Sequence, residues 1–150
     1  MRLTPKDIIC CPPPLFHCFG LVLGLIAVIT HGASIVFPSE TFDAARVLRA
    51  VSQERCTGLH GVPAMFSAEL ELMKGDLHCP DLRTGIAAGA PVPRKLMEDL
   101  RAHLNLHEIT NTYGMPKISQ GPFLFLSELT RDRNDGDITS EFHDLHRRSN

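Results

Sequence analysis

Arg83-Thr84-Gly85-Ile86-Ala87-Ala88-Gly89-Ala90-Pro91 is the stretch on which the fold turns. It opens as a short apolar run of buried-strand length and stops at a Gly-Ala-Pro breaker. Behind it, residues 93–104 place Leu96, Met97, Leu100 and Leu104 at helical spacing with charged residues between them. Residues 107–112 then read as a second strand. A strand, an amphipathic helix and another strand in quick succession form the βαβ unit of a parallel sheet.

Upstream the alternation continues. Residues 57–60 read as a short strand, and Pro63 opens a helix through Met65, Phe66, Leu70 and Leu72. Before them, Phe42, Ala45, Val47, Leu48 and Val51 recur at helical spacing, with Thr41 or Asp43 available as the cap. Residues 8–12 form an apolar strand halted by Pro12, Pro13 and Pro14. An apolar helix is expected over 16–30, with Gly32 past its end and a further strand over 33–37. Gly20 and Gly24 lie four apart on that helix, each costing about 1 kcal/mol relative to Ala, so another backbone is expected close by. The predicted class is α/β, with alternating βα units and a largely parallel sheet.

Composition excludes several classes. The 150 residues are 43% hydrophobic and 21% charged, a globular balance rather than a disordered one. A net charge of −2 argues against nucleic acid or an anionic membrane as a partner. The apolar run over 18–30 falls short of the roughly 20 residues that a membrane span needs, so a buried helix is expected. Cys10, Cys11, Cys18, Cys56 and Cys79 include no Cys-x-x-Cys, which points to free thiols and a cytoplasmic location. Arg148-Ser149-Asn150 does not match a peroxisomal address. No metal site is expected: the pairs His103/His107 and His143/His146 lack a third ligand at a recognised spacing. Residues 127–150 carry ten Asp, Glu, Lys or Arg residues with little periodicity, and read as a solvated or disordered tail.

Three motifs carry chemistry. Pro14-Leu15-Phe16-His17-Cys18-Phe19-Gly20 falls at a strand-to-helix turn, where His17 either meets a ligand or caps the helix. Gly85-Ile86-Ala87-Ala88-Gly89-Ala90-Pro91 offers small residues at a strand end, for close ligand approach or for tight packing. Asn111-Thr112-Tyr113-Gly114-Met115 follows one helix and one strand later. In this order the three resemble the adenylate-forming (AMP-binding) acyl-CoA synthetases. Gly61-Val62-Pro63-Ala64-Met65 is similar to the segment before the helix that flanks their acyl tunnel.

The resemblance implies that a carboxylic or fatty acid is activated with ATP to an acyl-adenylate and then transferred to coenzyme A. It implies that His17, Gly61, Gly85 and Ala88 face the acid. Gly89, Ala90, Pro91, Asn111, Thr112, Tyr113 and Gly114 would face the nucleotide. Where the family runs Tyr-Gly-x-Thr-Glu, using that Glu to help hold Mg²⁺, this chain has Pro116 and Lys117. An ammonium cannot replace a hard oxygen ligand. The family's phosphate loop, ribose-binding Asp and C-terminal catalytic Lys are not found, and no resemblance is read beyond Lys117. The expectation is a truncated ligase-like chain with no intact catalytic residues. Residues 1–121 would be a partial AMP-binding domain and 122–150 a divergent polar tail. The alternative is a catalytically inactive remnant that binds nucleotide or acyl groups weakly.

Overall fold

The structure, a computed structural model, describes residues 1–73, 79–113 and 126–129; for Tyr113 and 126–129 it describes the backbone alone. Its strands are β1 (Ile8–Cys10), β2 (Ser34–Val36), β3 (Gly58–Gly61), β4 (Thr84–Ala88), β5 (Glu108–Tyr113) and β6 (Leu126–Leu129). A π-helix (Phe19–Ile26) runs into the short α1 (Ala27–Thr30), and α2 (Ala44–Gln53), α3 (Pro63–Leu72) and α4 (Arg94–Leu104) complete the helices. The six strands form one sheet in the order β2-β1-β3-β4-β5-β6. Its first five are parallel, and β6 joins β5 antiparallel.

The local signals explain the elements. Asp43, rather than Thr41, caps α2: its Oδ1 accepts the Arg46 N–H at 3.0 Å. Val47, Leu48 and Val51 form the buried stripe of that helix. Pro63 sits in the first turn of α3, and Asn105 ends α4 in the left-handed region at φ 56°. Gly32, past α1, has φ +65°, the conformation its type serves.

Strand order decides which face each helix covers. From β1 the chain moves outward to β2, and from β2 it crosses back to β3 and onward to β5. Right-handed crossovers in opposite directions put the connecting helices on opposite faces. Helices α2, α3 and α4 pack on one face around Leu59, Phe66, Ala87, Leu96, Leu100, Leu104 and Ile109. The π-helix covers the other, where Phe19 meets Ile86 and Ala88.

Three expectations differ from the structure. The helix over 16–30 starts at Phe19 and winds as a π-helix through Ile26. That helix is not buried all round: Phe19, Gly20, Gly24 and Val28 are inward, while Leu21, Val22, Ile26 and Ile29 are exposed, Ile29 by 65%. The glycines serve close approach. A Cβ on Gly20 would strike the Pro13 and Pro14 carbonyls, and one on Gly24 would lie 2.6 Å from the Cys11 Sγ. Finally, β6 falls within the segment read as a polar tail; the open edge of β5 supplies the backbone partners that the sequence pattern did not reveal. Residues 130–150 lie outside the described residues.

At the amino ends of the strands a polar cluster fixes the sheet. Asp7, 3% exposed, accepts from Arg83 Nη2 at 2.8 Å, Thr57 Oγ1 at 2.7 Å, Thr4 N at 2.8 Å and Thr4 Oγ1 at 2.9 Å. Burial alone would raise the Asp7 carboxyl, but these hydrogen bonds overcome it and hold the group below its ordinary range. The same Arg83 reaches Glu108 at 3.1 Å, and Arg2 reaches Glu108 at 3.0 Å.

Glu69, on α3, has no such support: it is fully buried, and among the described residues neither carboxylate oxygen has a hydrogen-bond partner. Burial pushes its pKa up from 4.5 to about 8. The folded chain therefore keeps a proton that the unfolded chain releases, and stability falls as pH rises from about 4.5 to about 8. Glu69→Gln should raise stability by on the order of 2–4 kcal/mol at pH 8, with the gain shrinking toward pH 5, in urea unfolding curves. Arg83→Met should cost about 3 kcal/mol at pH 7, because it strands a buried carboxylate. The native chain should lose the Asp7 contribution as pH falls through that carboxyl's depressed folded pKa, and Arg83→Met should flatten this acid limb.

Candidate functional site

Because the strands are parallel, their carboxyl ends share one edge of the sheet, and the strand order reverses between β1 and β3. Open α/β sheets bind ligands in the crevice at such a reversal. His17 follows β1 into that region and is exposed. The Phe19 N–H donates to its Nδ1 at 3.1 Å, and the Cys18 Sγ lies 3.8 Å from the same nitrogen. With Nδ1 accepting, the neutral ring carries its proton on Nε2, a donor uncommitted among the described residues.

Register aligns the other candidates. Gly61 pairs with Ala87, Ala87 with Asn111, and Ala88 with Thr112. Gly89 leaves β4 at φ +88°, with Val62 Cγ1 at 3.1 Å from where a Cβ would stand; Ala90 and Pro91 follow it, exposed. Asn111 is exposed and Thr112 is buried. Tyr113 ends β5; its side chain, Gly114 and residues 115–117 lie outside the described residues.

Strand alternation divides the four residues expected at the acid. Ala88 shares the π-helix face with Phe19. Gly61 and Gly85 lie on the opposite face: a Cβ on Gly61 would meet the Phe66 ring of α3 at 3.2 Å, and one on Gly85 would strike the Leu59 carbonyl. Ala88 thus stands on one side of the sheet, with Gly61 and Gly85 on the other.

Two residues escaped the sequence reading. His60 of β3 is fully buried on the π-helix face, its Nε2 3.2 Å from the Leu23 carbonyl and its ring stacked on Phe19 at 5.9 Å between centroids. Burial lowers its pKa to about 4, so it is neutral near pH 7. A histidine beside Leu59 in an apolar strand was the available signal, since alternation must turn one of the two to each face. Glu69, unpartnered in the interior, was hidden among the polar residues of an exposed-looking helix. Cys10 and Cys11 are buried: a hydrogen bond with Cys56, then burial, raises Cys10, and burial pushes Cys11 up to about 12. Among the described residues no group of three or more His, Cys, Asp or Glu is placed to hold a metal ion, and no helix is long and apolar enough to cross a membrane.

Known proteins resemble this chain in sequence and fold. The chain is 56% identical over 141 residues to the acyl-CoA ligase sidI of Aspergillus fumigatus, covering 93% of this chain and 23% of that protein. It is 62% identical over 120 residues to the acyl-CoA ligase SID4 of Ajellomyces capsulatus, covering 79% of this chain and 20% of that one. The first match takes in more of the chain than the 117 residues up to Lys117 could supply, so likeness continues past the point where the sequence reading ended it. The chain spans about a fifth to a quarter of the length of these relatives. Among solved structures, the N-terminal domain of FACL13 from Mycobacterium tuberculosis superposes with a TM-score of 0.68 at 27% identity, covering 77% of this chain and 29% of that one. The model of the AMP-binding enzyme family matches residues 1–119. Family model, sequence relatives and fold agree, and the chain belongs to the AMP-binding enzyme family.

Proposed function

We propose that this chain forms the acid- and nucleotide-facing edge of an acyl-CoA ligase. The reaction of the longer protein would join a carboxylic acid to ATP as an acyl-adenylate and then pass the acyl group to coenzyme A. The observation that carries this reading is that His17, beside the reversal of strand order, shares the carboxyl edge of one parallel sheet with Ala88–Pro91 and Asn111–Thr112. His17 donates from Nε2 to the carboxylate, and the backbone of Phe19 holds its ring. Ala88 leaves room for the acyl group beside Phe19. Gly89, Ala90 and Pro91 present exposed backbone to adenine, and Asn111, Thr112, Tyr113 and Gly114 complete the nucleotide side. Gly61 and Gly85 act from behind, the first letting the Phe66 ring close against the sheet and the second letting β3 and β4 approach at Leu59.

Among the described residues, the loops at this edge offer Mg²⁺ no carboxylate ligand. No acid occurs between β1 and the π-helix, between β3 and α3, or between β4 and α4, and Pro116-Lys117 follows Met115. No step is assigned to the metal, and this chain by itself binds rather than turns over. Five unpaired thiols suit a reducing compartment such as the cytoplasm.

The test is a titration of the ¹⁵N-labelled 150-residue chain with AMP and with octanoate, run beside an ATP–pyrophosphate exchange assay. AMP should shift the amides of Gly89, Ala90, Asn111 and Thr112, and octanoate the His17 ring, with no exchange activity. His17→Ala should weaken octanoate binding about tenfold, as expected for one lost hydrogen bond to a charge. Shifts confined to other parts of the sheet would sink the binding assignment, and sustained exchange would overturn the claim that the chain only binds.

A further inference from the structure

We propose that His60 is a positioning residue for His17, acting through the π-helix: it fixes Phe19 and Leu23, and the Phe19 N–H in turn sets the His17 ring. The inference rests on the reading of His17 given above, and its test reads the His17 ring directly.

The links are short and continuous. His60 stands on β3, fully buried, on the face that the π-helix covers. The Leu23 carbonyl can only accept, so His60 Nε2 donates to it at 3.2 Å and the ring is the Nε2–H tautomer. One turn earlier, Phe19 lies against the same imidazole at 5.9 Å between centroids and 25° between planes. One side chain of the sheet thus holds the helix at two points four residues apart, which fixes both its rotation and its position along its axis. Gly20 and Gly24 make this reach possible, because they let the helix sit against the Pro13 and Pro14 carbonyls and Cys11.

From there the coupling is through backbone. Phe19 N donates to His17 Nδ1 at 3.1 Å, so the placement of Phe19 decides where the Nε2–H of His17 stands. A hydrophobic residue at position 60 would still fill the interior, but it would release the Leu23 carbonyl and the ring contact that holds Phe19. Burial keeps the His60 ring neutral, its pKa lowered to about 4, so the link is not switched by ordinary changes of pH.

The experiment uses the full 150-residue chain with ¹⁵N-labelled histidine rings, and reads amide exchange at Phe19. In the native chain His60 should show one Nε2–H tautomer, His17 a hydrogen-bonded Nδ1 acceptor, and Phe19 a protected amide. His60→Leu should speed Phe19 exchange at least tenfold, move the His17 ring nitrogens toward free-imidazole values, and weaken octanoate binding as His17→Ala does. His60→Gln, whose side-chain amide can still donate to Leu23, should keep the His17 signature and most of the binding. A folded His60→Leu with an unchanged His17 signature overturns the proposal. If His60→Leu does not fold, the native chain and His60→Gln decide: an unprotected Phe19 amide in the first, or a free-imidazole His17 in a folded second, overturns it equally. A His17 ring that follows His60 in a chain that binds no octanoate leaves the positioning role standing and removes the ligase reading instead.

Discussion

The buried Asp7 carboxylate is the constraint from which the rest of the sheet follows. It stands at the start of β1 and takes hydrogen bonds from Thr4, Thr57 and Arg83, so it ties the residues that precede β1, β3 and β4 to one point. Arg83 carries the tie on to Glu108, the first residue of β5. Four parallel strands are thereby aligned at their amino ends. Since a parallel strand rises by about 3.3 Å per residue, alignment at one end sets which residues stand abreast at the other. The edge that carries His17, Gly89 and Asn111 inherits its register from a cluster on the far side of the sheet. That cluster is expensive to bury, and its worth lies in the arrangement it imposes.

The fold was legible because hydrophobic period and breakers agreed over most of the chain. Leu96, Leu100 and Leu104 declared α4, and the Gly-Ala-Pro stop after Ala88 declared the end of β4. The π-helix was not legible as such. Residues 18–30 are apolar on nearly every side, so no stripe exists whose period would separate wide winding from ordinary winding. Nor does an all-apolar helix announce that half its surface will face outward. For the site, the motifs named the right loops. What they could not supply was the face of each strand residue. Gly61, Gly85 and Ala88 look equivalent as small residues, yet register sends the first two toward α3 and the last toward the π-helix. His60 was passed over for the opposite reason: in sequence it is one residue of a short strand, and only the packing of Phe19 against it gives it a part.

The outward face of the π-helix adds a second theme. Leu21, Val22, Ile26 and Ile29 are exposed beside Leu15 and Phe16, the latter 94% exposed. Contiguous exposed apolar surface on this scale marks contact with other protein surface more often than with water. The relatives are four to five times longer than the stretch matched here, so they possess ample additional chain to meet such a face. The inward side of the same helix is held at defined points by Gly20, Gly24, Leu23 and Phe19. One helix thus presents a closely fitted side to the sheet and an unfinished side outward.

The Asp7 cluster also bears on how the chain is made. Its bonds join residues 76 apart in Asp7–Arg83 and 106 apart in Arg2–Glu108. On a ribosome, the first strand is out long before the partners that will anchor it. At usual elongation rates, on the order of 5–20 s pass between the emergence of Asp7 and that of Glu108. During that interval β1 gains its partners one at a time, first β2, then β3 with Thr57, then Arg83. The register of the sheet is therefore set progressively as the chain emerges, and is complete at its amino ends only when Glu108 reaches Arg83 and Arg2.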